Sequence, residues 1–122
     1  MAEPTQIFDI VDHFTRRLLG QLRPANTTAA SVYSPGSNIE AIIDTIVVVN
    51  TTSGSVDFRL FHDDDGSTFD ESTALFWDEA LAADTARIIE GPFYMNNPNG
   101  NIGVRTATNS AFTFSVYGRE RT

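Results

Sequence analysis

The chain has no cysteine and no lysine, and no stretch of it approaches the length of a membrane-spanning apolar run. Without cysteine there is no disulfide framework and no thiolate metal site. A spanning helix needs roughly 18 or more consecutive apolar residues. The opening MAEPTQ is acidic where a secretory signal would be basic. The chain therefore reads as soluble and unexported, with no membrane partner. Histidine is scarce too: His13 and His62 are the only two, which leaves little for imidazole acid–base chemistry. No G-x-S-x-G, H-E-x-x-H or glycine-rich phosphate loop occurs. These absences point away from an enzyme and from any cofactor.

What is present is 122 residues with a net charge of −8, one domain's worth of chain. All eight positive charges are arginine, the cation better suited to protein interfaces. The negative charge is localised. Asp63, Asp64, Asp65, Asp70, Glu71, Asp78, Glu79, Asp84 and Glu90 face only Arg87 within residues 63–90. Such a segment repels phosphate backbones, so nucleic acid is not expected as a partner. It also disfavours contact with its own copy. Self-association is therefore expected through the near-neutral remainder, including residues 1–30 and the strands around 39–50 and 111–118.

Residues 5–19, TQIFDIVDHFTRRLL, space Ile7, Phe8, Ile10, Val11, Phe14, Leu18 and Leu19 as one helical stripe. Thr5 suits an N-cap and Gly20 a stop, with acids early and Arg16 and Arg17 late. An amphipathic helix is predicted here, with an arm that orders on a partner as the alternative. Ile7, Val11, Phe14, Arg16, Arg17 and Leu18 are its candidate partner-binding residues. Residues 1–30 are read as this helix or arm plus a linker, and 31–122 as the folded domain.

From Ile39 onward the period is two. IEAIIDTIVVVN is apolar on both faces, as in a strand covered twice. VDFRLFH, IGVRT and AFTFSVYG alternate, and short runs at 31–33, 74–77, 86–89 and 93–95 complete about eight strands. NTTSGS, DDDG and NNPNGN separate them as turns. The prediction is a mainly β, single antiparallel β-sandwich, jelly-roll-like or immunoglobulin-like. Periodicity does not choose between those topologies.

Few motifs compete for chemistry. His62 with residues 63–65 suggests calcium, but the EF-type spacing and its closing glutamate are missing. The aspartates read as a solvated turn that tolerates asparagine, and no metal is expected. The neighbours Asp70/Glu71 and Asp78/Glu79 would diverge in a strand, so neither forms a glycosidase pair. Phe76, Trp77, Phe93 and Tyr94 lie near acids, which allows a sugar platform on Trp77 and Tyr94. Half-buried sandwich residues are the plainer reading.

The segment VYSPGSNIEAIIDTIVVVNTTSGSVDFRLFHDDDG resembles a pattern of small tailed-phage virion proteins. There a long apolar strand ends in Asn, a Thr/Ser/Gly turn follows, and an alternating strand comes next. TARIIEGPFYMNNPNGNIGVRTATNSAFTFSVYGRE is similar to the second half of that pattern. The resemblance covers residues 31–120. It departs at Ser34-Pro35-Gly36, where Val-Pro-Ala-Gly is usual. It implies a non-enzymatic virion structural protein, foremost a capsid decoration or cement protein bound to the major capsid protein. A tail, head–tail or fibre component is the near alternative. Capsid local symmetry would favour a trimer.

Overall fold

The computed structural model describes residues 14–122, and every regular element among them is a β-strand. In chain order these are β1 (Thr15–Leu22), β2 (Ala30–Tyr33), β3 (Glu40–Asn50) and β4 (Val56–Asp63). Then come β5 (Ala74–Leu81), β6 (Ala86–Met95), β7 (Asn101–Thr106) and β8 (Phe112–Arg121). They form two four-stranded antiparallel sheets, a front sheet β1-β8-β3-β6 and a back sheet β2-β7-β4-β5. The pairs nest: β4 with β5, β3 with β6, β2 with β7, β1 with β8. A two-stranded ribbon rolled up on itself gives this order, the eight-stranded jelly roll. Of the two sandwich topologies left open by periodicity, the strand order selects this one.

Between the sheets, alternate residues of each strand meet. Ile43, Ile46 and Val48 of β3 and Phe112, Phe114 and Val116 of β8 face Phe58 and Leu60 of β4 across the core. Phe58 lies at its centre, with ring centroids 5.6 Å from Phe112, 5.7 Å from Phe76 and 6.2 Å from Phe114. Burying each such side chain stabilises by about 1.5–3 kcal/mol, which fixes the register of the inward set.

Asn50 closes this layer where β3 ends. It is fully buried. Its amide donates to Gly54 O and Leu81 O, both at 2.9 Å, and its Oδ1 accepts from the N–H (2.9 Å) and Oγ1 (2.8 Å) of Thr52. NTTSGS is thus a turn built around one buried amide.

The helix predicted over 5–19 is corrected where the structure describes it. Residues 15–22 are strand β1, paired with β8 from Thr15↔Glu120 to Leu22↔Phe114. Arg16-Arg17-Leu18-Leu19 carries no two-residue alternation that would mark a strand, and it is the open edge of β8 that offers a ladder which an isolated helix lacks. Gly20 is no helix stop. Its backbone approaches β2 so closely that a β-carbon would overlap Val32 O. Residues 86–89 and 93–95, expected as two strands, are one strand, and β5 continues past the run expected at 74–77 to Leu81.

Candidate functional site

The two outer faces of the sandwich differ in kind. On the front sheet, strand pairing sets the outward side chains in rows. Arg16, Arg119, Ile42 and Tyr94 form the first, and Leu18, Tyr117, Thr45 and Glu90 the second. Gln21, Ser115, Val47 and Ile88 form the third, with Gln21 Nε2 donating to Ser115 Oγ at 2.9 Å. Thr113, Val49 and Ala86 complete the set. Ile88 is 63% exposed and Tyr94 56%, and Leu18 and Tyr117 are exposed with them. No strand among the described residues lies over this face. The doubly apolar β3 therefore has one cover, the core, while Ile42, Val47 and Val49 remain half-buried on the other side. Apolar side chains are thus gathered on one outer face of the sandwich.

The charges of that face are mostly balanced within it. Arg119 Nη2 lies 3.1 Å from Asp44 Oδ1 and Arg121 Nη2 lies 2.9 Å from Glu40 Oε2. Phe14 rests at this corner, its ring 4.8 Å from the Arg121 guanidinium and 5.8 Å from that of Arg119.

Strand alternation separates the residues that the helical reading had grouped. Arg16 and Leu18 share the front face with Tyr117 and Arg119. Arg17 points the other way, where it pairs with Glu120, whose other oxygen accepts from the Tyr33 hydroxyl. Burial, then this hydrogen bond, raises the Tyr33 phenol well above its ordinary pKa. Ile7 and Val11, with the rest of the predicted stripe before Phe14, lie outside the described residues.

The back sheet's outer face is covered by its own loop around Phe61 and Gly103, while Leu75 and Trp77 of β5 stay exposed. Asp63, buried at the end of β4, accepts from the backbone N–H of Thr68 (2.9 Å) and of Asp65 (3.2 Å). That folds residues 64–73 back so that Phe69 stacks on Phe61, centroids 5.6 Å apart, and lies on Gly103. Phe61 is consequently buried outside the main core. Residues 63–65 are thus not a uniformly solvated turn: Asp64 and Asp65 are exposed, and Asp63 organises the loop. The Thr68 N–H, above all, holds the Asp63 carboxyl below the usual range, while its hydrogen bond with Asp63 raises Asp65. With both Asp63 oxygens facing N–H donors, the carboxylate is turned inward rather than toward a cation. No group of three or more potential ligands is assembled among the described residues. His62 Nε2 meets Tyr94 O at 3.1 Å.

Beside the loop, the Arg59 guanidinium lies 3.5 Å from the centroid of the Trp77 ring and forks onto Asp78, at 2.7 Å (Nε–Oδ1) and 3.1 Å (Nη2–Oδ2). A bulge with Asp78 at φ 51° brings Trp77 and Asp78 to the same arginine. The Arg59 hydrogen bond lowers the Asp78 pKa. Trp77 stands on the back face and Tyr94 on the front, so the two do not form one sugar platform. The sequence signal missed here was Gly103 within an alternating strand.

No protein-family profile matches the chain. No curated protein matches it. Among solved structures, a chain of infectious bursal disease virus, Gx strain, is similar at a TM-score of 0.49 with 15% identity, over 88% of this chain and 32% of that one. The Gt strain gives 0.45 and 12%, over 89% and 31%. The tobacco streak virus coat protein, solved as a dimer, gives 0.40 and 8%, over 89% and 85%. This chain spans about a third of the length of the two bursal-virus chains. The strand order, not these likenesses, establishes the fold.

Proposed function

We propose that this protein is a structural component of a tailed-bacteriophage virion, a capsid decoration or cement protein bound to the major capsid protein. The observation that carries the reading is the exposed β1 edge. It sets Leu18 and Arg16 beside the Phe14 corner, at the rim of an otherwise rigid sandwich. An edge strand offers unpaired N–H and C=O groups to another chain, and the apolar residues beside it add affinity. The virion setting comes from the resemblance of residues 31–120 to small tailed-phage virion proteins. The jelly roll agrees with that setting, since viral capsid proteins use it, but lectins and cupins use it too. The acidic loop side would face solvent or an arginine- and lysine-rich surface of the shell.

Density-banded particles from the producing host provide the test. The protein should be present in them at a stoichiometry set by the capsid lattice, and antibody label should fall on the head. Label on the tail would select the tail-component alternative, and absence from particles would overturn both. Purified full-length protein should rebind stripped particles, whereas a folded Phe14→Asp variant should not, because it sets an unpaired charge in an apolar contact.

A further inference from the structure

We infer that the broad outer face of the front sheet is a self-association surface, taken by a second copy of this chain in a two-fold dimer. The face is apolar along Ile42, Val47, Val49 and Ile88, with Tyr94 and Tyr117 among them. Its central charges are paired internally, Arg119 with Asp44 and Arg121 with Glu40. On this face, two charges make no ion pair with another described residue, and they stand at opposite edges, Arg16 on β1 and Glu90 on β6. That placement is self-complementary. An axis along the strands, in the plane between two copies, sets β1 of one over β6 of the other and keeps each row in place. Arg16 then lies over Tyr94 of the second copy and one row from its Glu90, within reach of an arginine side chain. The back face offers no comparable match, because its loop carries Asp64, Asp65, Asp70 and Glu71.

The size of the face sets the strength. Four strands about 4.8 Å apart and roughly eight residues long give about 500 Å² before side-chain relief. A standard interface takes about 800 Å² from each partner, so a face of this size suits a reversible rather than an obligate dimer. Two copies use the face up, so this contact makes a dimer, not the trimer suggested by capsid symmetry. The outer backbone edge of β1 remains at the rim, and the inference does not rest on the capsid reading.

Sedimentation velocity on the full-length protein, from about 1 µM to about 1 mM, should show a reversible monomer–dimer equilibrium. Ile88→Asp, at an exposed position that leaves the fold intact by circular dichroism, should weaken it more than about tenfold. Arg16→Glu and Glu90→Arg should each weaken it about three- to tenfold, and the double variant should return to within about twofold of the parent. A monomer throughout the range, as when another segment of the chain covers the face, overturns the proposal. So does a trimer, an Ile88→Asp variant that still dimerises, or a double charge swap weaker than either single change. Dimerisation of the pure protein and rebinding to particles are separate readouts, so the failure of one reading is distinguishable from failure of the other.

Discussion

The ring of Phe69 lies on the backbone of Gly103, in the space that a β-carbon there would fill. This one relationship converts an outward-facing position of β7 into the floor of a second small core, roofed by the loop between β4 and β5. Phe61 is buried in it although it points away from the main core.

Gly103→Ala should therefore displace Phe69 rather than strain β7, whose backbone at this point is ordinary extended chain. The expected cost is about 1–3 kcal/mol, read as a lower urea midpoint. Phe69→Ala should cost a similar amount. The double variant should cost clearly less than the sum, since both changes remove one contact. Full additivity would show that the loop does not rest on Gly103.

Asp63→Asn should destabilise at neutral pH, and Asp63 should make stability pH-dependent. Its folded pKa lies below its unfolded value of about 3.9. The stability that it contributes is thus fully present above that value and lost as pH falls through the lower folded value. The gap in Tm between the parent and Asp63→Asn should be widest near neutral pH and close as the pH falls below the ordinary carboxylate range. Asp65 carries the opposite sign. Its raised pKa means that its charge opposes folding at neutral pH, so Asp65→Asn should be neutral or slightly stabilising there. EDTA should leave both melting curves unchanged, and a drop restored by calcium would reinstate a metal loop.

Asn50→Ala should remove four hydrogen bonds from a fully buried site and take from the buried Leu81 carbonyl its side-chain donor, while Gly54 O keeps the Thr52 hydroxyl. A loss of about 2–3 kcal/mol follows, or a Tm lower by roughly 10 °C. Asn50→Asp should be worse, because it turns a carboxylate toward those carbonyls.

Trp77 is the only tryptophan, so its emission reports the Arg59 stack directly. Arg59→Ala should shift the emission while costing no more than about 1 kcal/mol, as befits an exposed cation–π and ion-pair site. In the parent, acidification should shift it only below the ordinary carboxylate range, because Arg59 holds the Asp78 pKa down. If Asp78 is instead changed to Asn, that acid transition should disappear while the Arg59 stack remains. Persistence of the transition would assign it to another group.

The alternation of Val56, Phe58 and Leu60, and of Phe112, Phe114 and Val116, was enough by itself to determine strands, a two-layered core and the inward set. Side-chain period is a local property, and burying one face leaves a single solution. The apolar second face of β3 was legible as well, and it points to a surface still awaiting a cover. Residues 14–22 were not decided locally, because Arg16-Arg17-Leu18-Leu19 carries no two-residue alternation and only the open ladder of β8 makes it a strand. The same holds for the pairing of Thr15 with Glu120 and the meeting of Phe69 with Gly103. Each joins residues far apart in the chain, and their energies arise only when the ribbon has rolled up. The strand order, the burial of Asp63 and the separation of Trp77 from Tyr94 are consequences of that rolling, which no local pattern encodes.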